Sequence, residues 1–173
     1  MDVDLRAFTV AGLLRLYSEI VEELVRRKAC RSTNNPVADI AEMLVIKALR
    51  LTPAAKSTKG YDAIDGAGKR YEVKARRITR RNPSRMLSAI RDCEARHFDF
   101  LAGVLFREDF SFDKACLVPF EVVLQRSTYR DHVNAHLFHL KDDLWAAVGV
   151  VDITQQVAAA LASLDARANA ASS

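Results

Sequence analysis

The sequence predicts an α/β fold, a small mixed β-sheet flanked by helices, with a long helix at the N-terminus. Three observations predict it. Apolar stripes of helical period open and close the chain, and short apolar runs bounded by turn signals fill its middle. The resulting order is helix, helix, hairpin, helix, strand, strand, helix, which requires a sheet covered by helices. No repeat or linker divides the 173 residues. They suit one domain: an N-terminal helix over 5–29, a core over 30–125 and a C-terminal part over 126–173.

Each element has its own signal. Over residues 5–29, Val10, Leu13, Leu14, Tyr17, Val21, Leu24 and Val25 recur at helical spacing. This stripe reads as core or as a dimer surface. Residues 30–35 are a polar break, and Asn35-Pro36 then supplies an N-cap followed by proline at the first helical position. That helix runs to about Arg50, where Thr52-Pro53 helps to end it. A basic polar loop covers 54–60. Strands follow over 61–65 and 70–76, joined by a tight connection at Gly66-Ala67-Gly68. Asn82-Pro83 repeats the cap-plus-proline signal and predicts a helix over 84–96. Residues 97–106 and 114–119 read as strands, 120–125 as a short helix, 135–140 as a last strand and 153–164 as a closing helix.

Composition narrows the function classes. Half the residues are hydrophobic and 28% are charged, so a packed core is expected rather than disorder. No apolar run is long enough for a transmembrane helix, and the acidic start Met-Asp-Val-Asp is the wrong charge for a secretory leader. Three cysteines with no close pair exclude a disulfide framework and a CxxC zinc motif, and point to a cytoplasmic protein. Cys30, Cys93 and Cys116 read as buried apolar groups. His132, His136 and His139 read as structural or solvent-exposed rather than as a zinc site. The net charge of +4 leans toward an anionic partner.

The chemistry lies between Gly60 and Lys74. On a strand, side chains alternate, so Glu72 and Lys74 share one face while Tyr71, Val73 and Ala75 point into a core. A hairpin brings Asp62 opposite. Two carboxylates and a lysine suit phosphodiester hydrolysis with Mg²⁺, or Mn²⁺, which takes oxygen ligands and keeps several waters. Asp62 and Glu72 supply two oxygens, and the Val73 carbonyl can supply a third. Lys74 then positions or helps to deprotonate the attacking water. Glu42 is a further candidate, reaching the ion directly or through a water. Its helix neighbours Ala38, Val45, Ile46 and Leu49 are apolar, so its carboxylate needs a metal or a cation such as Lys74. Asp65, just before Gly66, reads as turn chemistry.

Lys74, Arg76, Arg77, Arg80, Arg81 and Arg85 put six positive charges in twelve residues with no acid among them. That run suits a nucleic-acid backbone, with Arg76 on the strand face of Lys74.

The segments NPVADIAEMLVIKAL, GYDAI and YEVKARR resemble the restriction-endonuclease-like superfamily of PD-(D/E)xK nucleases. Glu42, Asp62, Glu72 and Lys74 match in order the helix glutamate, the strand-start aspartate and the E-x-K tripeptide of that superfamily. Tyr61 stands where the motif has proline. The resemblance covers about residues 30–106 and implies a restriction-endonuclease-like core, a metal-dependent endonuclease activity and DNA as the partner. A homodimer is compatible with cutting two strands. Two other readings stand beside it: a catalytically inactive nucleic-acid-binding module on the same fold, and a non-enzymatic scaffold.

Overall fold

The computed structural model describes residues 3–55 and 58–170. Lys56 and Ser57, in the predicted basic loop, lie outside the described residues. The fold is α/β; the described residues form a six-stranded mixed sheet, a two-stranded sheet and four α-helices. Among the described residues no helix is long and apolar enough to cross a membrane.

Helix α1 (Val10–Arg26) starts at Thr9, whose side chain accepts a hydrogen bond from the Gly12 N–H at 3.1 Å. The helix expected over 5–29 is therefore shorter, and a separate 3-10 turn, Leu5–Ala7, precedes it. Val21 is its one fully buried residue. Val10, Leu14, Tyr17 and Ile20 remain exposed, so most of the stripe is not core.

Helix α2 (Pro36–Leu49) begins as predicted. Asn35 Oδ1 accepts from the Val37 N–H at 3.1 Å, and Pro36 occupies the first turn. Strands β1 (Thr52–Pro53), β2 (Ala63–Ile64) and β3 (Arg70–Arg77) follow. Asp65 shapes the β2–β3 turn. Its Oδ1 accepts from the N–H groups of Ala67 and Lys69, both at 2.9 Å, and its Oδ2 from the Tyr71 hydroxyl at 3.0 Å.

Strands β4 (Phe100–Phe106) and β5 (Phe112–Pro119) complete the centre of the sheet. Next come α3 (Phe120–Arg126), the β6 (Thr128–Arg130) and β7 (Ala135–Leu137) pair, the edge strand β8 (Val151–Asp152) and α4 (Thr154–Ala170). The strand order is β1-β2-β3-β4-β5-β8, and β3–β4 is the parallel pair. A parallel pair needs a crossover, and residues 78–99 provide it.

That crossover departs from the predicted helix over 84–96. Asn82 does not cap a helix; its N–H bonds to the Thr79 carbonyl and hydroxyl in a local turn. The following backbone pairs with the distant segment 136–140 instead. Leu87 N–H donates to the Phe138 carbonyl at 2.9 Å, and Ile90 and His136 exchange hydrogen bonds at 3.0 and 2.8 Å. Peptide groups engaged across the structure are not free for helical bonds, so tertiary pairing overrides the local signal. Only a short 3-10 turn, Cys93–Ala95, remains.

The sheet carries a core on each face. Tyr71, Ala102, Val104, Phe106 and Ala115 pack with α2 and α4. Leu101, Leu105, Cys116 and Val118 pack with Leu87, Ile90, Phe98, Phe138 and Leu140 on the other face. The period-2 alternation of β4 divides its side chains between the two. Gly103 sits where the second layer is closest; a Cβ there would lie 2.5 Å from Leu140 Cδ2. Cys30, Cys93 and Cys116 are free and buried, and burial pushes the Cys116 thiol up to about 12.

Candidate active site

The register of β3 places the site. Tyr71, Val73 and Ala75 pack toward α2 and α4, so Glu72, Lys74 and Arg76 face the crossover. Lys74 Nζ lies 3.0 Å from Glu72 Oε1, with the two side chains only 14% and 18% exposed. The same ammonium donates to Ser88 Oγ at 3.3 Å, and Arg76 Nε donates to the Ser84 carbonyl at 3.1 Å. Above Glu72 and Lys74 opens a pocket of about 310 Å³, walled on its far side by Ile90, Asp92, His97 and Phe98.

Asp62 lies just before β2, fixed by its own backbone. Its N–H donates to the Tyr71 carbonyl at 2.8 Å, and its Oδ2 accepts from the Val73 N–H at 2.7 Å. In a strand the N–H and C=O of one residue point the same way. The Val73 carbonyl therefore also faces the Asp62 edge. Burial raises the Asp62 carboxyl above the ordinary carboxylate range; the Val73 N–H opposes this, Glu72 adds to it, and Lys74 and Arg31 oppose it. That set of influences puts Asp62, Glu72 and Lys74 in one electrostatic neighbourhood.

Glu42 reaches this neighbourhood by another route. Its helix packs on the opposite face of the sheet from Glu72 and Lys74. Its carboxylate is 12% exposed and forms an ion pair with Arg31, so the cation it needs is this arginine and not Lys74. The Oε1 that meets the Arg31 guanidinium is buried. Arg31 thus pairs with Glu42 and also opposes the rise of the Asp62 carboxyl. Asp39 holds it there, because Asp39 Oδ2 accepts from the N–H groups of Arg31 and Ser32 at 2.7 and 3.1 Å. Sequence reasoning missed Arg31. Its signal was an acid in the first turn of a helix, which suits the loop that enters it.

No family model and no curated protein matches the chain. The chemistry of the site therefore rests on its own residues.

The basic run does not form one wall. Arg76 stays beside the site, whereas the Arg77 guanidinium stacks over the Phe110 ring at 4.0 Å. Arg80 pairs with Glu108 at 3.7 Å while 96% exposed, which contributes little. Arg85 pairs with Asp142 at 2.7 Å, and Lys114 shares that acid. Arg81 is exposed.

Among the described residues no three His, Cys, Asp or Glu side chains group closely enough to enclose a metal ion. What is present is an open pair, Asp62 with Glu72, and a peptide carbonyl beside them. This donor set is all oxygen and incomplete, which suits a hard cation that keeps several waters. The raised carboxyl of Asp62 is a group that a nearby cation would relieve. The residues fit Mg²⁺ or Mn²⁺.

Proposed function

We propose that this chain is a metal-dependent nuclease that hydrolyses phosphodiester bonds in DNA. The observation that carries the reading is the inward-facing Glu72–Lys74 pair on β3, with Asp62 held beside it by the Val73 N–H. A surface ion pair would have little reason to sit under a pocket with both members this buried.

In this mechanism Asp62 and Glu72 would hold the divalent cation, with the Val73 carbonyl as a third oxygen, and Glu42 would contribute directly or through a water. When bound, the ion would supply charge neutralisation at the phosphate and a more acidic water. Lys74, relieved of Glu72, orients the attacking water and stabilises charge that grows as the phosphorus–oxygen bond forms. Arg76, next along the same face, exchanges the Ser84 carbonyl for a phosphate oxygen.

One observation favours the second reading, a binding module without catalysis. Lys74 already balances Glu72, and Arg31 already balances Glu42, so the site is internally neutralised. The deciding experiment incubates the purified chain with linear, branched, single-stranded and supercoiled DNA, with Mg²⁺, Mn²⁺ or chelator. Metal-dependent cleavage of any form supports the nuclease. Binding without cleavage, under all these conditions, moves the assignment to the module.

A further inference from the structure

The wall of the pocket opposite Glu72 and Lys74 carries a second polar pair. His97 Nε2 lies 2.9 Å from Asp92 Oδ2. Both residues line the same pocket as Glu72 and Lys74. The other charged groups around that pocket are Lys59 and Arg91.

The backbone is shaped to hold this pair. Asp92 and Arg96 bracket the 3-10 turn with left-handed conformations, at φ 52° and 45°. Such conformations are uncommon outside glycine and cluster where a side chain must be aimed. Buried Ile90, Cys93 and Phe98 anchor the turn from below. On the facing side, Gly60 adopts φ +87°, and a Cβ at that position would lie 2.3 Å from His97 Cβ and 2.5 Å from its Cγ. The imidazole therefore occupies space that only glycine leaves open, two residues before Asp62. A carboxylate on Nε2 keeps that nitrogen protonated and fixes the ring, leaving Nδ1 as the nitrogen Asp92 does not engage.

We propose that His97, oriented by Asp92, donates the proton that the leaving oxygen needs when a phosphodiester is cut in this pocket. The assignment rests on the hydrolysis reading above. In the step, the oxygen of the attacking water, oriented by the Lys74 ammonium, bonds to phosphorus and one of its protons passes to solvent. The bond from phosphorus to the ester oxygen breaks, and its electron pair goes to that oxygen. The oxygen takes the Nδ1 proton of doubly protonated His97. The ring is left neutral, with its Nε2–H still donated to Asp92, and regains a proton from water.

The test uses the full chain, a DNA that the wild type cuts, and Mn²⁺. His97→Ala should slow cleavage at least about 100-fold, the low end of the range for loss of a positioned proton donor. His97→Gln, which fills the space above Gly60 and keeps a group for Asp92, should show the same loss. Asp92→Asn should lose less. Affinity for Mn²⁺ by calorimetry, and for DNA in Ca²⁺, should stay within about twofold of wild type, since the role lies in the transition state. Added imidazole should restore part of the His97→Ala rate. Wild-type rates in both His97 variants would overturn the assignment. So would a loss that imidazole does not relieve, or one matched by a loss of metal or DNA affinity. A wild type that cuts no DNA with either metal overturns the hydrolysis reading itself.

Discussion

Lys74 and Asp62 differ in what surrounds them, and so in what their removal should do. Lys74 touches Glu72 and Ser88 but makes no backbone bond through its side chain, so its truncation leaves the strand intact. Lys74→Ala should lower hydrolysis by at least about 100-fold while metal and DNA affinity hold, because an interaction made in the transition state is what is removed. Asp62→Ala should lose metal affinity as well, read by calorimetry with Mn²⁺. Asp62 also makes a prediction about pH. Burial raises its carboxyl in the folded chain above the unfolded value. The folded state therefore holds the proton more tightly. Protonation stabilises the fold, and that contribution is lost as pH rises through the raised value. At neutral pH the ionised, metal-free Asp62 costs stability. Asp62→Asn keeps an oxygen for the Val73 N–H and removes that cost. The metal-free variant should melt a few degrees above wild type at pH 7, about 2–4 °C for each kcal/mol gained. The difference should shrink toward pH 4, and added Mn²⁺ should raise the wild-type Tm but not that of the variant.

At the scale of elements, the crossover and β4 depend on each other. The crossover segment, together with residues 136–140, covers the β4 face that carries Leu101, Gly103 and Leu105. Leu140 is fully buried and fills the space above Gly103. Gly103→Ala overpacks this layer and should cost about 1–3 kcal/mol. Leu140→Ala opens a cavity and should cost about 2–5 kcal/mol. Because the three atoms nearest the added methyl all belong to the removed part of Leu140, Gly103→Ala in the Leu140→Ala background should cost close to nothing. Urea denaturation of the four proteins measures this coupling; additive losses would mean that the β4 backbone, and not Leu140, resists the methyl. The crossover is also where element-level reading went astray. Asn82-Pro83 is a sound helix signal taken locally, and it lost to hydrogen bonds with residues about fifty positions away.

Over the whole molecule, the excess of 26 basic over 22 acidic residues is small, and its placement matters more than its sum. Several arginines of the run after β3 have partners of their own: Phe110, Glu108 and Asp142. If DNA lies along the site, exposed Arg80 and Arg81 exchange weak or absent partners for phosphates. Replacing Arg77, Arg80 and Arg81 together should then flatten the dependence of log K on log salt by about 0.9 for each duplex phosphate that the variant no longer neutralises. A slope equal to wild type would make the run a solvated surface.

The elements of this fold were largely legible in the amino-acid order, because their determinants are local. Asn35 and Pro36 cap α2 through neighbouring atoms, Asp65 folds the β2–β3 turn within four residues, and alternation alone puts Glu72 and Lys74 on one face of β3. What tertiary structure decided was every relation across the chain. It left the stripe of α1 exposed, drew the 82–98 segment away from helix, and gave Glu42 to Arg31 instead of Lys74. It also set His97 in the space above Gly60, facing the pocket of Glu72 and Lys74. The reason is physical. Caps, turns and strand alternation act over a few residues, whereas ion pairs and packing join groups whose separation in sequence carries no information about their distance in space.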